Sequence, residues 1–355
     1  MSRQERAVLI VGGGPAGLTA ALLLARQGLR PLLVERHPGT AIHPRARGLN
    51  IRTMELYRML GLEGAIRAAG TALKDSRYML FVETLAGHEI RRVADEDLVG
   101  TQQQIAALSP SDNCQCAQDE LEPILAAAAS ARGAELRFGT QLLSFVQDDQ
   151  GVTATLLTHD GQEIHDVRTS YLVAADGAGS DVRQALGIEM ADRGGTRRGP
   201  LGPYVNIYFR ANLGHLVEGR QFGLCFVENP DSPWIILKVN NTDRWLFNVP
   251  YAPEQGATLA DFGPERCAEL IRAAIGLPEL AVEILSVLPW EAAARIADRF
   301  QSGRVLLIGD AAHTMPSAGA FGPNTVVQDA QNVCWKLATV LGGVAEPSLL
   351  ATYRG

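Results

Sequence analysis

Gly12, Gly14 and Gly17 stand at G-x-G-x-x-G spacing in Gly12-Gly13-Gly14-Pro15-Ala16-Gly17, and that spacing has a chemical use. Gly12 permits a tight turn, Gly14 lets backbone approach a pyrophosphate, and Gly17 allows a helix to pack closely on a strand. Pro15 and Ala16 open that helix, whose N-terminal N–H groups and positive dipole end favour phosphate. Glu35 follows at the distance expected of an acid that accepts adenosine ribose hydroxyls. A carboxylate there would repel a 2′-phosphate, which fits FAD or NAD better than NADP. Arg36 beside it would cover the adenine face.

Two further apolar runs end in Gly or Asp. Tyr171-Leu-Val-Ala-Ala-Asp176-Gly177 reads as a strand, a turn and a helix capped by Ser180. Arg304-Val-Leu-Leu-Ile-Gly309-Asp310 delivers Gly-Asp to the carboxyl edge of a sheet, where open α/β sheets bind ligands and Asp310 could accept hydrogen bonds from a polyol. The segment Pro316 to Gly322 then feeds a helix at Pro323-Asn324-Thr325, a second set of N–H groups for an electron-rich ligand. His313 fits a structural histidine at a strand–helix junction or a catalytic one. Basic residues cluster at His37–Arg47 and Arg193–Arg198, as solvated loops or for an anionic ligand.

The elements that would hold these residues follow from periodicity. Ala7–Val11 is a buried parallel strand, Pro15–Gln27 a helix and Pro31–Val34 a second strand, one β-α-β unit. Asn50–Leu60, Gln118–Arg132 and a stretch from about Asn324 to Leu341 read as helices. Strand periods recur at Glu135–Phe138 and Val152–Leu157, then at Val205–Arg210, Phe222–Val227, Trp234–Val239 and Arg244–Val249. The last group predicts an antiparallel sheet inserted into the first domain, with Gly263–Ile275 as a helix upon it. Trp245, Phe247 and Val249 would share one face, opposite Arg244, Leu246 and Asn248.

Composition agrees with a globular α/β protein: 355 residues, 46% apolar and 20% charged. The net charge of −7 does not mark a nucleic-acid partner. Five cysteines without metal-ligand spacing predict no metal and free thiols in a reducing cytoplasm. No apolar run is long enough for a signal peptide or a membrane span. The ending Ala351–Gly355 closes no structure of its own, and a truncated polypeptide is expected.

Taken in order, the three motifs resemble those of the flavin-dependent aromatic hydroxylases, class A monooxygenases of the p-hydroxybenzoate hydroxylase type. The members acting on phenols and aromatic polyketides are nearest, by His43-Pro-Arg45-Ala, Gln118 with Leu121-Glu-Pro-Ile-Leu125, and Gln328-Asp-Ala-Gln-Asn-Val-Cys-Trp-Lys-Leu-Ala338. The resemblance implies a Rossmann-like FAD-binding domain over 1–75, 100–185 and 290–355, with a mixed or antiparallel substrate sheet over 76–99 and 186–289. It implies that Arg45 contacts the flavin phosphate and ribitol region, and Gln118 the ribitol side. Asp176 would serve FAD and NADPH, Gly309 and Asp310 the ribitol, and the backbone of Gly322, Pro323, Asn324 and Thr325 the pyrimidine edge. NADPH or NADH would bind transiently, since no second dinucleotide motif is present. The implied reaction inserts one atom of O2 into a small aromatic substrate through a flavin hydroperoxide, away from nucleic acid and membrane.

Phe226, Arg244 and Leu246 are the candidate substrate residues. Phe226 and Glu228 stand where p-hydroxybenzoate hydroxylase grips a carboxylate, which favours a more apolar aromatic. Pro316-Ser317-Ala318-Gly319-Ala320 and Val326 depart from the pattern of many members. Other flavin reactions on the same scaffold (epoxidation, Baeyer–Villiger oxygenation, reduction) and a non-catalytic flavin-fold protein remain alternatives.

Overall fold

The computed structural model describes residues 4–74, 78–94, 107–160, 162–192, 202–229, 232–240, 242–316 and 320–353. The chain divides into two compact units, Met1–Ile42 with Gln118–Arg198 and Ala293–Gly355, and His43–Ala117 with Gly199–Ala292. The second unit takes in all of His43–Ala117, of which the sequence reading gave only 76–99 to the sheet domain. The basic cluster Arg193–Arg198 lies outside the described residues, as do Ser317, Ala318 and Gly319.

Runs such as Val8-Leu-Ile10, apolar on both faces, require a sheet covered on both sides. In the first unit β1 (Gln4–Val11) lies between the strand Glu163–Ala174 and β2 (Leu32–Glu35), parallel to both. Val305–Leu307 extends the parallel array on one side and Glu135–Phe138 on the other. The helix α1 (Pro15–Arg26), buried from Ala16 to Ala25, packs against the helices Gln118–Ala131 and Phe321–Leu341. Register then fixes the site. Val11 pairs with Ala174, and Ala174 with Leu307, so all three glycine-bearing loops leave the same sheet edge.

The second unit is built on a seven-stranded mixed sheet. Its order is Glu283–Ala292, Gly202–Arg210, Arg244–Pro250, Ser232–Lys238, Leu224–Asn229, Tyr78–Val82 and Glu89–Ala94. All neighbours are antiparallel except Leu224–Asn229 with Tyr78–Val82. One face is a core in which Val205, Ile207, Phe209, Trp245 and Phe247 meet Cys267, Ile271, Ala274 and Ile275 of the helix Pro264–Ile275. That helix starts on Pro264 and stops at Gly276, whose φ of +83° suits glycine. Trp245 is fully buried, and its indole N–H donates to Ala211 O at 3.0 Å.

Sequence periodicity marks the four consecutive strands from Gly202–Arg210 to Leu224–Asn229 and leaves three unmarked, Tyr78–Val82 and the two outermost. Glu283–Ala292 contains Pro289, which breaks a strand pattern yet is tolerated on an edge. Glu89–Ala94 is charged enough to read as loop. Leu246 lies on the face opposite Trp245, as the alternation predicts. It is 1% exposed, because Ala117, Tyr208 and Val239 form a second small cluster over it.

Trp245→Ala removes a fully buried ring and an indole hydrogen bond together, and should lower the unfolding free energy by about 3–5 kcal/mol. Chemical denaturation checks this, and a loss under about 1 kcal/mol would mean that this face is not the unit's main core.

Candidate functional site

Each glycine of the first motif is small for a different reason. A Cβ at Gly12 would lie 2.2 Å from Ala175 O, and its φ of +109° is itself costly for other residues. A Cβ at Gly17 would lie 2.0 Å from Gly12 O, so α1 packs directly on the turn. At Gly14, by contrast, a Cβ would meet nothing within 4 Å. The chain leaves open space at the position where a pyrophosphate would need it. No side chain caps α1 and no acid sits in its first turn, so its N-terminal end is available to an anion. This cradle fits the phosphates of an adenine dinucleotide.

Glu35 closes the loop on itself. Its Oε2 accepts from Gly13 N at 2.7 Å, and its Oε1 accepts from His37 N at 2.9 Å and contacts His37 Nδ1 at 2.5 Å. A Cβ at Gly13 would press to 2.9 Å from Glu35 Cβ. Gly13 and His37 therefore hold the acid in place, a role that the glycine spacing alone does not reveal. Arg36 is exposed beside them.

Gln118 begins its helix and donates from Nε2 to Glu122 Oε1 at 2.6 Å, while Glu122 Oε2 accepts from Ala41 N at 2.6 Å. Glu122 is 1% exposed. This buried carboxylate, one turn after Gln118, orients Gln118 and ties the segment after β2 to the helix. Its signal was a lone acid inside the apolar Leu121–Leu125.

Asp176 does what a strand-turn-cap reading expects. Its carboxylate accepts from Ser180 Oγ at 2.6 Å and Val182 N at 3.1 Å, and Ser180 Oγ accepts from Arg183 N at 3.0 Å. Burial pushes the Asp176 carboxyl above the usual range, against these bonds. Arg183 donates to Ala178 O at 3.0 Å and Ala311 O at 3.3 Å, linking the second loop to the third.

In the third loop Gly309 has φ +63°, and a Cβ there would lie 3.0 Å from Ala16 Cβ and 3.3 Å from Val326 Cγ1. Val326 is thus a packing residue against this turn. Gly309 N donates to Asp329 Oδ2 at 2.9 Å, and the same oxygen holds His313 Nε2 at 2.6 Å. Asp329 is the organiser that sequence reasoning missed, and His313, 6% exposed, is its buried structural partner. Burial alone would push the His313 imidazole down. The bond and charge of Asp329, with the charge of Asp310, carry it above the ordinary histidine value. Asp310 itself is exposed at the sheet edge.

The helix expected from about Asn324 begins at Phe321. Gly322, Pro323, Asn324 and Thr325 therefore form its first turns. Asn324 Nδ2 donates to Ala320 O at 2.6 Å and Thr325 Oγ1 to Phe321 O at 3.0 Å. Pro323 has no N–H to offer.

The remaining candidates lie in the second unit. His43 is 4% exposed, with Nε2 at 2.9 Å from Asn206 Oδ1 and Nδ1 at 2.6 Å from Ser286 Oγ. Burial lowers its pKa, favouring the neutral ring that both contacts can use. Arg47 donates to Lys238 O at 2.6 Å and Gly223 O at 3.4 Å. His43 and Arg47 thus pin to the sheet the segment on which Arg45 is exposed. Arg244 donates to Tyr208 OH at 3.3 Å, and the Tyr208 ring meets His43 edge-on at 5.6 Å. Phe226 stacks on Phe81 at 4.8 Å. Glu228 is exposed, 3.9 Å from Arg91.

A family profile described as "FAD binding domain" matches residues 5–355. A Streptomyces coelicolor protein bearing the name polyketide hydroxylase is 47% identical over 98% of this chain and 54% of its own length. The tetracenomycin A2 monooxygenase-dioxygenase of Streptomyces glaucescens is 41% identical over 100% of this chain and 65% of its own. The crystal structure of an aklavinone-11 hydroxylase with FAD and aklavinone shares 40% identity at a TM-score of 0.88, covering 99% of this chain and 66% of that one. The chain spans between half and two thirds of the length of the first curated relatives it matches.

Gly14→Val should fold as the parent does, since its side chain meets open space, yet purify without flavin. Full flavin absorbance in that variant would place the pyrophosphate elsewhere. Gly17→Val should fail to fold, because it collides with Gly12 O. Linkage gives a third expectation. His313, with its pKa raised in the fold, contributes stability that is fully present below the ordinary histidine value of about 6.5 and lost as pH rises through the raised value. The stability gap between the parent and His313→Gln, read by thermal melting, should therefore be wider at about pH 6 than at about pH 9. A gap that is flat or widens with pH contradicts the pairing with Asp329.

Proposed function

The chain belongs to the FAD binding domain family, and from that premise we propose that it is a FAD- and NAD(P)H-dependent monooxygenase acting on an aromatic, polyketide-like phenol. The open cradle at Gly14 carries the cofactor half of this reading. Similarity over nearly the whole chain to relatives named for hydroxylation of polyketides supports the substrate half. The partly buried Phe226 and Ile235, on the face of the second unit's sheet away from the helix Pro264–Ile275, are the surface on which such a ring would lie.

The roles divide by element. The turn Gly12–Gly14 and the start of α1 hold the pyrophosphate, and Glu35, fixed by Gly13 and His37, receives the adenosine ribose. In the first unit Asp310, Gln118 and the first turns of the helix at Gly322–Thr325 serve the ribitol and the ring, and in the second Arg45 is the candidate for a flavin phosphate contact. Asp176 acts through its cap, keeping the second loop in place beside the third. FAD, when bound, passes two electrons from NADPH or NADH to O2, so that one oxygen atom enters the ring and the other leaves as water. The chain's task is to place the ring and admit the nicotinamide only in passing. Residence in the cytoplasm belongs to the same proposal. Among the described residues no helix is long and apolar enough to cross a membrane.

NADPH oxidation by the flavin-loaded chain should be slow alone and at least about tenfold faster with a suitable aromatic, a bias of about 1.4 kcal/mol. One atom of labelled O2 should appear in the product. Fast reduction without any aromatic, or product oxygen drawn from water, would replace hydroxylation with another flavin reaction.

A further inference from the structure

The second unit's sheet has one covered face and one with a different composition. Strand register places Phe81, Phe226, Ile235, Asn248, Asn206 and Leu288 in a single row across six strands of that other face. All six are only partly buried, while their sequence neighbours Val227, Ile236, Phe247, Val249, Val205 and Ile207 fill the core beneath the helix. The row therefore changes character along its length. It begins with the stacked rings of Phe81 and Phe226, continues with Ile235, turns polar at Asn248 and Asn206, and ends on Leu288.

Asn248 is the anomaly in this row. Its Oδ1 is shut off from solvent and has no hydrogen-bond partner among the described residues. No hydrogen bond joins it to its neighbours in register among the described residues. Asn206, directly opposite, gives its own Oδ1 to His43, and Ser286 holds the other nitrogen of that ring. A shielded amide oxygen without a donor is a cost that the fold tolerates, and such atoms call for an explanation in terms of a bound group.

We propose that Asn248 determines substrate specificity by accepting a hydrogen bond from a hydroxyl group of a fused aromatic ligand whose apolar end lies against Phe226. This deepens the reading of the chain as an aromatic hydroxylase and rests on it. Three features define the ligand. The missing partner is a donor, which a phenol supplies and a carboxylate does not. The far end of the row is aromatic, and rings already stacked on each other at 4.8 Å offer their edges to a ring above them, an edge-to-face contact. Phe226 and Asn248 stand two strands apart, about 10 Å, which a fused polycyclic reaches better than a single ring. A site built to bond a hydroxyl discriminates strongly against the analogue without it, because its polar atom is then left unpaired.

The test compares 2,6-dihydroxyanthraquinone, whose hydroxyls are remote from the quinone oxygens and free to donate, with anthraquinone on the flavin-loaded chain, with affinity read from perturbation of the flavin spectrum. The parent should prefer the dihydroxy compound. Asn248→Leu should weaken it about tenfold, leave anthraquinone unchanged, and melt no lower than the parent, since an unpaired acceptor has been removed. Asn248→Ala should show the same selective loss if the larger side chain perturbs folding. Equal weakening of both compounds, or a preference that survives both substitutions, overturns the assignment to Asn248 while leaving the hydroxylase reading intact. Failure of the parent to bind either compound, together with no aromatic-dependent NADPH oxidation, overturns that reading and this inference with it.

Discussion

The first unit depends on one close approach, that of α1 to the turn at the end of β1. Gly17 sits so near Gly12 O that a methyl group cannot enter, and Gly12 sits equally near Ala175 O. Helix, turn and the neighbouring strand are therefore in backbone contact without intervening side chains. Because the strands are parallel and Val11, Ala174 and Leu307 are in register, this contact fixes the height at which the second and third loops emerge. Arg183 and Asp329 then use charge-assisted hydrogen bonds to tie those loops to their surroundings. Few of these residues would touch a cofactor themselves. They remove the freedom that Glu35, Asp310 and the helix starts would otherwise have to lose on binding.

The second unit solves a different problem. A sheet with both faces apolar would demand a second covering layer, whereas one with a polar face loses area for packing. Here the core face is dense and aromatic, and the other face carries a satisfied polar centre at His43, Asn206 and Ser286. Burial keeps His43 neutral near physiological pH, so that centre adds no charge beside the apolar row. Polar groups of this kind are costly to bury unless every member is bonded, which is why the unpaired Oδ1 of Asn248 stands out in this row.

Much of this organisation was legible in the residues. Continuous apolar runs ending in glycine located three strands of the parallel sheet, and Glu35 followed from its distance to the glycines. The apolar-polar alternation of Arg244–Val249 identified the core face. What escaped has physical causes. Asp329 acts across a turn on residues 16 to 20 positions earlier in the chain, and no local pattern marks an acid on a helix as the partner of a distant amide. Glu122 resembles any helical glutamate until its burial is known. Leu246 alternates correctly, but its cover by Ala117 and Val239 is a tertiary contact that alternation alone does not reveal. Pro289 and the Arg91-Arg92 pair hid two strands because residues suited to a sheet margin are those that argue against a strand in general.

Those two marginal strands carry a consequence for the protein in concentrated solution. A sheet normally presents unpaired amides at its ends, and another chain can dock there strand to strand. At one end of this sheet Pro289 removes a donor from the row. At the other, Arg91 lies over the Phe81 ring at 3.8 Å and Arg92 pairs with Glu89, so charge lines the border. A foreign strand would have to displace or desolvate these groups before it gained its first hydrogen bond. The same chemistry that made the borders hard to recognise as strands makes them poor templates for growth.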